Sequence, residues 1–453
     1  MSGVAAAPSR ARPSRQEVDV AQAKGMRVMT TRLKRDGLSV LVVGGGGREH
    51  ALVWKLASSP RVARVYAAPG NPGIARIASC VPIPASDTAA LARFAAERRV
   101  DITVVGPEVP LALGIADEFA RLGLAVFGPT KPAAEIESSK AWAKEFMSRH
   151  GIPTAGYRVF ADEDAARAFV RRSGGPVVVK ADGLAAGKGV IVARTAEEAE
   201  NAVRTVASLG AGRAIVVEDF LTGREMSFFA VTDGETSLPL LSARDHKRAG
   251  DGDAGPNTGG MGAVAPAPGF DESLESRIMS EIIEPAVKGL AREGRRYVGV
   301  LYAGLMLTPS GPKVLEFNAR LGDPETQAIL PMMESDLVDL IEAAIEGEGL
   351  SPGVVRWRPG ASACVVLASQ GYPEKPRVGD EIRVDEAGLG AADVLLFHSG
   401  TRFDGDRLVT SGGRVLNVVA RGASIQEAAD RAYQGTRHVE FRGMWCRRDI
   451  GRR

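Results

Sequence analysis

Two lysines flank a stretch of small residues between two β-branched runs, and together they suit a polyphosphate. Residues 177–192 read VVVKADGLAAGKGVIV, with Lys180 at the end of the first run and Lys188 in the glycine-rich loop. β-Branched residues favour strands, and glycines let backbone N–H groups approach a ligand. Lysine binds phosphate as a point charge, and free amides add donors. A surface hairpin with solvated lysines is the alternative, but the pattern favours an enzyme that uses ATP.

A second polar cluster, LEFNARLGDPE at 315–325, is typical of a metal and phosphate site. Alternation along a strand places Glu316 and Asn318 on one face, where their oxygens can bind Mg²⁺ and leave room for water and phosphate. Arg320 has the same parity if the strand continues, and its guanidinium can hold a carboxylate or phosphate in bidentate fashion. An exposed polar strand face is the alternative.

A glycine turn follows the first predicted strand. Residues 44–49 read GGGGRE between a strand and a helix, where a phosphate meets free amides and the positive end of the helix dipole. Glu49 occupies the position at which a dinucleotide fingerprint requires its third glycine. We therefore favour a small phosphorylated substrate over NAD, with a purely structural turn as the alternative.

Two further segments have weaker signals. Glu218-Asp219-Phe220-Leu221 joins two strand-like runs and can offer backbone groups to a purine, while Glu225 can accept both ribose hydroxyls. Exposed acids at strand ends would look the same. The glycine-rich segment 245–262, which begins Asp245-His246-Lys247, has no periodicity and predicts a loop. Such a loop can close over a site and exclude water, or it can be a mobile surface loop.

Regular elements must position these residues, and the pattern predicts an α/β multi-domain protein. Residues 38–138 alternate short apolar runs with helical patterns, which is typical of βαβ units and a parallel sheet. Strands are predicted at Ser39–Val43, Val65–Ala68, Ile102–Val105 and Leu124–Phe127. The loops after these strands would lie at the edge where open α/β sheets bind ligands.

The middle of the chain has an α+β pattern. Helices are predicted from Ser139 to His150 and at about 271–293, and strands at Val300–Leu307 and Lys313–Phe317. Residues 154–232 read as strand, helix, strand, strand, helix, strand and strand.

Proline and glycine residues predict a linker at 350–361, and 453 residues exceed what one hydrophobic core usually supports. The chain is therefore divided into a disordered extension 1–37, an N-terminal parallel α/β substrate domain 38–138, a central α+β domain 139–360 with a lid subdomain at about 154–226, and a small β-rich C-terminal domain 361–453.

Composition and charge exclude several classes of protein. The 45% apolar and 25% charged content is typical of a soluble globular protein, and the formal net charge is +2. The first 37 residues hold eight Lys and Arg against three acids, so the remainder carries −3, which argues against a nucleic-acid partner. The chain has no run long enough for a membrane span. Cys80, Cys364 and Cys446 lack metal-ligand spacing, and we expect them to be buried residues of a cytoplasmic protein.

Taken together, these segments resemble the ATP-grasp superfamily and, within it, the phosphoribosylamine–glycine ligase family of purine biosynthesis. The segments that carry the resemblance are GGGGREHALVWKL at 44, APGNPG at 68, TVVGPEVPL at 103, FGPTKPAAEIESSKAWAKEFM at 127, VVKADGLAAGKGVIVA at 178, DHKRAGDGDAGPNTGGMGA at 245, LYAGLML at 301, LEFNARLGDPETQ at 315 and FRGMWCRRDIG at 441. They span nearly everything from 39 to 451, whereas residues 1–37 have no counterpart.

The resemblance implies an ATP-grasp fold for residues 139–360 and ligation of glycine to 5-phosphoribosylamine, with ADP and phosphate as products and glycyl phosphate as intermediate. It implies ATP contacts at Lys140, Lys180, Lys188, Glu218, Asp219, Phe220, Leu221 and Glu225. It implies substrate contacts at Gly46, Gly47, Arg48, Glu49, Asn71, Pro107, Glu108, Asp245, Lys247, Arg320 and Gly322. The residues implied in catalysis are Lys180, Lys188, Asp245, Lys247 and Arg320, and the ligands of Mg²⁺ (or Mn²⁺) are Glu316 and Asn318. A monomer or weak homo-oligomer is expected.

Three positions depart from the family pattern. The first turn is all glycine where the family usually has a residue such as Asn second, Arg244 replaces a neutral polar residue, and Ala319 replaces a Cys. Ala303 stands where many ATP-grasp enzymes have a second acidic metal ligand, so a second metal stays open. The alternatives are another ATP-grasp carboxylate–amine ligase and a non-catalytic nucleotide-binding protein; an NAD dehydrogenase is disfavoured because its fingerprint fails.

Overall fold

The computed structural model describes residues 36–184, 189–210, 214–347 and 349–452. Apart from Asp36 and Gly37, the extension 1–37 lies outside the described residues, as does Lys188.

The N-terminal part is a parallel five-stranded sheet of order β3-β2-β1-β4-β5, which confirms the predicted parallel α/β domain. Its elements are β1 (Leu38–Gly44), α1 (Gly47–Ala57), β2 (Val62–Pro69), β3 (Ser79–Cys80), α2 (Thr88–Glu97), β4 (Ile102–Val105), α3 (Glu108–Leu113), α4 (Ile115–Arg121), β5 (Val126–Phe127) and α5 (Lys131–Ser138). The central strand β1 is apolar almost throughout because helices cover both faces of a parallel sheet. Val43 pairs with Val105, so the turns after β1 and β4 lie side by side.

A lid follows, with an antiparallel sheet of order β6-β9-β7-β8. Its elements, after α6 (Lys140–Arg149), are β6 (Tyr157–Phe160), α7 (Glu163–Ser173), β7 (Val177–Ala181), β8 (Val190–Ala193), α8 (Ala196–Ser208) and β9 (Ile215–Asp219). Side chains such as Val170, Val179 and Val203 form a core that is separate from the other hydrophobic clusters. The order of elements predicted for this segment is confirmed.

Residues 245–262 are not the aperiodic loop predicted from the sequence. The strands β10 (Arg224–Thr232) and β11 (Ser237–Pro239) precede this segment. The segment itself runs from the end of β12 (Arg244–Asp245) through β13 (Arg248–Gly250) and β14 (Ala254–Asn257) to the start of β15 (Gly262–Ala265), and β12 pairs with β15 while β13 pairs with β14. The C-terminal motif holds this hairpin in place, because Arg447 Nη1 donates to Asp253 Oδ1 (2.8 Å) and to the carbonyl of Arg248 (3.1 Å). Local periodicity cannot reveal a partner some 200 positions away.

The central sheet has the order β11-β10-β16-β17 and is antiparallel. The remaining elements of this part are α9 (Glu272–Ile278), α10 (Glu284–Arg292), β16 (Gly299–Thr308), β17 (Gly311–Asn318), α11 (Glu325–Ile329) and α12 (Leu337–Glu346). A π-helical segment (Met279–Ile283) joins α9 to α10, so the long helix predicted at about 271–293 is confirmed. One hydrophobic cluster contains Leu41 and Val43 of β1 together with Phe228 and Val314, which joins this sheet to the N-terminal domain.

The C-terminal sheet, of order β12-β15-β18-β23-β20, draws strands from both sides of residue 360. Its part of the chain holds β18 (Ala361–Ala368), β19 (Ile382–Val384), α13 (Glu386–Ala391), β20 (Leu395–His398), β21 (Thr401–Asp404), β22 (Arg407–Thr410), β23 (Arg414–Gly422), α14 (Ile425–Gly435) and β24 (Val439–Phe441). Because β15 pairs with β18, the end of the segment 245–262 is fixed to the C-terminal domain.

The three cysteines are free, and only Cys364 is buried as predicted. Cys80 is exposed because it lies in the two-residue edge strand β3, and Cys446 is half-buried. Among the described residues, no helix is long and apolar enough to cross a lipid bilayer.

Candidate functional site

The glycine turn lies at the C-terminal end of β1, where Glu49 closes it. The Glu49 carboxylate accepts from the Gly46 N–H (2.6 Å) and pairs with the Arg48 guanidinium (2.6 Å). A Cβ on Gly44, whose φ is +124°, would lie 2.5 Å from Glu49 Cγ, so this position requires glycine. Arg48 also donates to the carbonyl of Leu321 (3.1 Å), which ties the turn to the segment after β17. Gly46, Gly47, Arg48 and Glu49 thus form one closed turn, and their contact with a substrate stays a prediction.

The other N-terminal candidates border the same turn, but Asn71 is fully engaged with the protein. Its amide donates to the carbonyls of Gly45 and His398 (2.9 Å each), and its oxygen accepts from the Ile74 N–H (2.9 Å). Asn71 therefore positions backbone around the turn. Pro107 precedes α3, and Glu108 begins that helix beside the turn.

Arg320 lies between two carboxylates. Its Nη2 is 2.9 Å from Glu137 Oε1, and its Nε is 3.4 Å from Glu108 Oε2. Burial raises the pKa of Glu137. Burial also acts to raise the pKa of Glu108, but the Arg320 and Arg48 guanidinium groups together with a backbone hydrogen bond hold it below its ordinary value. The strand does not extend to Arg320 as supposed, since β17 ends at Asn318. The guanidinium nevertheless reaches back and donates to Asn318 Oδ1 (3.1 Å).

Sequence reasoning missed Glu137. Besides pairing with Arg320, it accepts a hydrogen bond from the Ala319 N–H through Oε2 (2.6 Å), so one buried carboxylate fixes two consecutive residues. It lies in the last turn of the helix α5, three residues before Lys140. The sequence indicated its role only through the acidic residue that begins ESSK (137–140), within one of the segments that carry the family resemblance.

Glu316 and Asn318 lie two residues apart at the end of β17, opposite Gly304 and Tyr302 of β16. Burial would raise the pKa of Glu316, but the charges of Lys247 and Lys180 hold it below its ordinary value, so the carboxylate is ionised. Among the described residues no group of three or more His, Cys, Asp or Glu could hold a metal ion. The pair instead fits a divalent cation that takes one or two protein oxygens and completes its shell with phosphate and water.

Two lysines on the nucleotide side, Lys180 and Lys144, converge on Glu218. Lys180 Nζ lies 2.8 Å from Glu218 Oε1 and donates to the carbonyl of Leu315 (2.9 Å), while Lys144 Nζ lies 2.8 Å from Glu218 Oε2. Lys140 Nζ donates to the carbonyl of Gly183 (2.9 Å). The buried Glu218 side chain is therefore a bridge between two lysines.

Lys144 was also missed, although it lies four residues after Lys140 and thus on the same face of α6. It is buried and donates to Thr154 Oγ1 (2.7 Å). Burial lowers its pKa to about 8, because the nearby Glu218 offsets only part of the desolvation.

The rest of the predicted nucleotide site follows Glu218. Asp219 ends β9, so Phe220 and Leu221 begin the connection to β10, and the Arg194 guanidinium lies 4.5 Å from the centre of the Phe220 ring. Glu225 is on β10, half-exposed and 4.0 Å from Lys247. No placement is described for Lys188.

Asp245 and Lys247 border a small cavity of about 10 Å³, roughly the space of one water, with Ser227 and Tyr302 in its wall. The Oδ1 atom of Asp245 is buried without a hydrogen-bond partner in the described structure. Burial, and then the charge of Glu325, raise the pKa of Asp245 well above its ordinary value. Lys247 Nζ is 3.9 Å from Glu316 Oε1, which links this cavity to the proposed metal ligands.

A buried network that was not predicted supports this cavity. Ser227 Oγ donates to Glu325 Oε1 (2.9 Å) and lies 2.9 Å from the Tyr302 hydroxyl. A Cβ on Gly322 would lie 2.4 Å from Glu325 Oε2. Gly322 therefore contributes by leaving room for the Glu325 carboxylate. These residues have no recognisable spacing because they come from three separate elements.

The chain matches the models of three domains of one family. They are described as the phosphoribosylglycinamide synthetase N domain (residues 38–137), ATP-grasp (A) domain (138–326) and C domain (362–453).

Individual proteins agree with this match. The chain is 49% identical over 417 residues to a phosphoribosylamine–glycine ligase of Mesorhizobium japonicum, covering 91% of this chain and 98% of that one. It is 50% identical over 426 residues to the Vibrio cholerae protein of the same name (92% and 98%). The crystal structure of the Thermotoga maritima phosphoribosylamine–glycine ligase superposes with a TM-score of 0.80 at 35% identity, covering 91% of this chain and all of that one. A biotin carboxylase domain from Hydrogenobacter thermophilus, solved with MgADP and bicarbonate, shares the fold alone (TM-score 0.69, 18% identity, 91% and 92% covered).

Proposed function

The chain belongs to the phosphoribosylglycinamide synthetase family, and from this premise we propose how its residues join glycine to 5-phosphoribosylamine. The reaction is an ATP-dependent carboxylate–amine ligation of purine biosynthesis, with glycinamide ribonucleotide, ADP and phosphate as products. Enzymes of this ATP-grasp family use ATP and a divalent metal. The roles of individual residues below are our proposals.

The main observation behind the proposal is that the C-terminal end of β17 brings together residues proposed for metal, phosphate and substrate binding. The last residues of β17 present Glu316 and Asn318, the Leu315 carbonyl fixes Lys180, and Arg320 follows immediately. A phosphate chain that reaches this strand end from Lys180 meets the substrate cleft at Arg320. Nucleotide and substrate therefore meet at one point, which an in-line phosphoryl transfer requires.

In the first step, a carboxylate oxygen of glycine attacks the γ-phosphorus of ATP, and the bond between this phosphorus and the ADP oxygen breaks. Lys180 and Lys188 neutralise charge on the phosphates, and Arg320 holds the glycine carboxylate or the transferred phosphoryl group. Lys140 and the backbone of residues 218–221 bind the nucleotide, and Glu225 accepts hydrogen bonds from its ribose.

Glu316 and Asn318 would hold the metal, which we propose to be Mg²⁺ (or Mn²⁺). When bound, such an ion would neutralise the negative charge that develops during phosphoryl transfer. Arg320 donates to Asn318 Oδ1 and so orients one of the two ligands, while Lys247 and Lys180 keep Glu316 ionised.

In the second step, the amine of phosphoribosylamine attacks the carbonyl carbon of glycyl phosphate, phosphate leaves, and the amine loses a proton. The turn 46–49, Pro107 and Glu108 surround the ribose phosphate, and Asn71 positions the backbone of Gly45 beside it. Asp245 accepts the proton, because its buried Oδ1 has no hydrogen-bond partner among the described residues and burial raises its pKa, which makes the carboxylate a stronger base. Lys247 and Gly322 complete the wall of the cavity at this junction.

An isotope experiment tests the proposed function. Glycine labelled with ¹⁸O in its carboxylate is incubated with ATP, Mg²⁺ and phosphoribosylamine formed in situ from ribose 5-phosphate and ammonia. We expect one ¹⁸O atom in each phosphate released, and ADP release only when both glycine and the amine are present. Ligation without ¹⁸O in the phosphate, or ADP release that is independent of glycine, would contradict the proposal.

A further inference from the structure

A cavity of about 290 Å³ lies outside the site described above. It is bordered by the last turn of α1, the segment after α11, and strands β20 and β23. The residues that line it are Trp54, Lys55, Ser58, Pro331, Met333, Arg358, Asp393, Leu395, Val419, Ala420 and Arg421. The glycine turn is at the other end of α1, about 15 Å away along a helix of 11 residues. The cavity is therefore distinct from the ligase site.

The walls of this cavity are apolar. Met333, Val419 and Ala420 are buried in the core, and Trp54 and Leu395 pack against it with part of their surface open. Trp54 is held edge-on by Phe397, with 5.8 Å between ring centres. A flat ring can thus lie against this wall with little rearrangement.

The mouth of the cavity has more cations than carboxylates. Lys55, Arg358 and Arg421 line it, and Asp393 is the one acidic side chain among the described residues of this lining. Asp393 pairs with Arg431 (3.2 Å) and lies 3.9 Å from Arg421, so its charge is already shared.

Within the described residues, neither Lys55 nor Arg358 forms an ion pair with a carboxylate. Lys55 Nζ donates to the carbonyl of Met333 (2.6 Å), a neutral group. No side-chain hydrogen bond or ion pair is described for Arg358 within residues 36–184, 189–210, 214–347 and 349–452. Burial lowers the pKa of Lys55; the charge of Asp336 opposes this shift, and the charge of Arg358 adds to it by a smaller amount. Lys55 and Arg358 line the same cavity, so an anion that enters it can pair with both.

We propose that this cavity binds a small organic anion, a flat apolar ring with a carboxylate, sulfonate or phosphate, whose acidic group lies between Lys55 and Arg358. The volume is near the lower end of small-molecule pockets, and the combination of an apolar wall with a few polar groups is typical of them. The ring fills the space beside Trp54 and Val419.

The test uses the full chain with a non-hydrolysable ATP analogue and Mg²⁺ at saturation, so that the nucleotide site is filled. The probe is 8-anilinonaphthalene-1-sulfonate, titrated by fluorescence. We expect saturable binding of one probe per chain, and weaker binding of the neutral N-phenyl-1-naphthylamine. Displacement by 1-naphthoate and by 1-naphthyl phosphate then ranks carboxylate against phosphate. Failure of both to displace the probe would overturn the proposal, as would equal binding of the neutral probe.

Matched variants locate the probe. Arg358→Gln should lower the affinity for the probe at least about tenfold, since a hydrogen bond to a charged group is lost. Arg356→Gln is the control, because Arg356 belongs to the same segment but pairs with Glu334 outside the cavity. Both variants should keep the ligase activity and circular dichroism of the wild type. Equal affinities in Arg358→Gln and the wild type would overturn the assignment.

Ser58→Trp is a second variant that does not depend on charge. Ser58 is exposed at the end of α1, so a tryptophan there should fill the mouth without disturbing the core. The probe should then no longer bind. Retained binding in this variant would show that the probe lies elsewhere and would overturn the proposal.

Discussion

The two halves of the proposed ligase site differ in the balance between cationic and anionic side chains. On the nucleotide side, Lys144 and Lys180 both pair with the buried carboxylate of Glu218, so two lysines there share one anion. On the substrate side the described carboxylates outnumber the cations. The carboxylates are Glu49, Glu108, Glu137, Asp245, Asp323 and Glu325, and the cations are Arg48, Arg320, Arg414 and Lys247.

This difference matches the ligands that each half would bind. ATP is a polyanion, and a surplus of lysine offsets its charge. Glycine brings an ammonium group together with its carboxylate, and phosphoribosylamine brings an amine together with its phosphate, so their half needs both signs at fixed positions. Arginines held by carboxylates provide such positions, because a paired guanidinium has a defined orientation. Glu316 lies where the two halves meet, within reach of Lys247.

The most severe test removes the charge at that junction. Glu316→Gln should lower turnover by at least about a thousandfold, since metal-assisted charge neutralisation is worth several kcal/mol. The fold should persist, because the side chain is about one-third exposed. ADP release by a coupled assay and circular dichroism check both points.

Glu225→Gln is the matched control, since Glu225 also lies about 4 Å from Lys247 but is assigned to the ribose. It should raise the KM for ATP and leave kcat near the wild-type value. If Glu316→Gln turned over like the wild type, the metal assignment would be wrong.

Glu137→Gln tests whether pairing orients Arg320. We expect kcat to fall about 10- to 100-fold with little change in the KM for ATP, because Arg320 keeps Glu108 but loses its closer partner. Steady-state kinetics on this variant, on Arg320→Lys and on the double variant form a cycle. The losses should be far from additive; additive losses would mean that Glu137 acts independently of Arg320.

Gly260→Ala tests how closely the substrate side is packed. Gly260 has a φ of +106°, and an added Cβ would lie 2.4 Å from Pro324 Cδ and 2.7 Å from Asp245 Oδ1. Asp245 must therefore shift, and we expect roughly a tenfold loss of kcat. Gly405→Ala, also at positive φ but with open space around it, should cost stability without this loss. Equal kcat in the two variants would show that the position of Asp245 is unimportant.

The smallest expected effect concerns pH on the nucleotide side. The pKa of Lys144 is lowered from 10.5 to about 8, so the folded site loses a positive charge as pH rises through 8. ATP affinity should fall several-fold between pH 7 and pH 9, measured by calorimetry. Between these two pKa values the unfolded chain still holds the proton, so this group makes stability rise with pH. Lys144→Arg should flatten the pH dependence of affinity; an unchanged profile would rule out Lys144 as its source.

Much of the architecture was predictable from local patterns. The parallel N-terminal sheet, the order of elements in the lid and the strand with Glu316 and Asn318 all follow from runs of apolar and β-branched residues. The segment 245–262 was not predictable, because its hairpin depends on Arg447 and its neighbours in the last residues of the chain.

The sequence by itself determined the residue types that can bind phosphate, metal and ribose, since these are local motifs with fixed spacing. Only the tertiary structure decided their partners: that Glu218 bridges two lysines, that Glu137 holds Arg320, and that Asn71 is occupied by backbone. The physical reason is that burial and charge pairing depend on contacts between elements distant in sequence. Such contacts set the orientation and pKa of a side chain, and no local pattern records them.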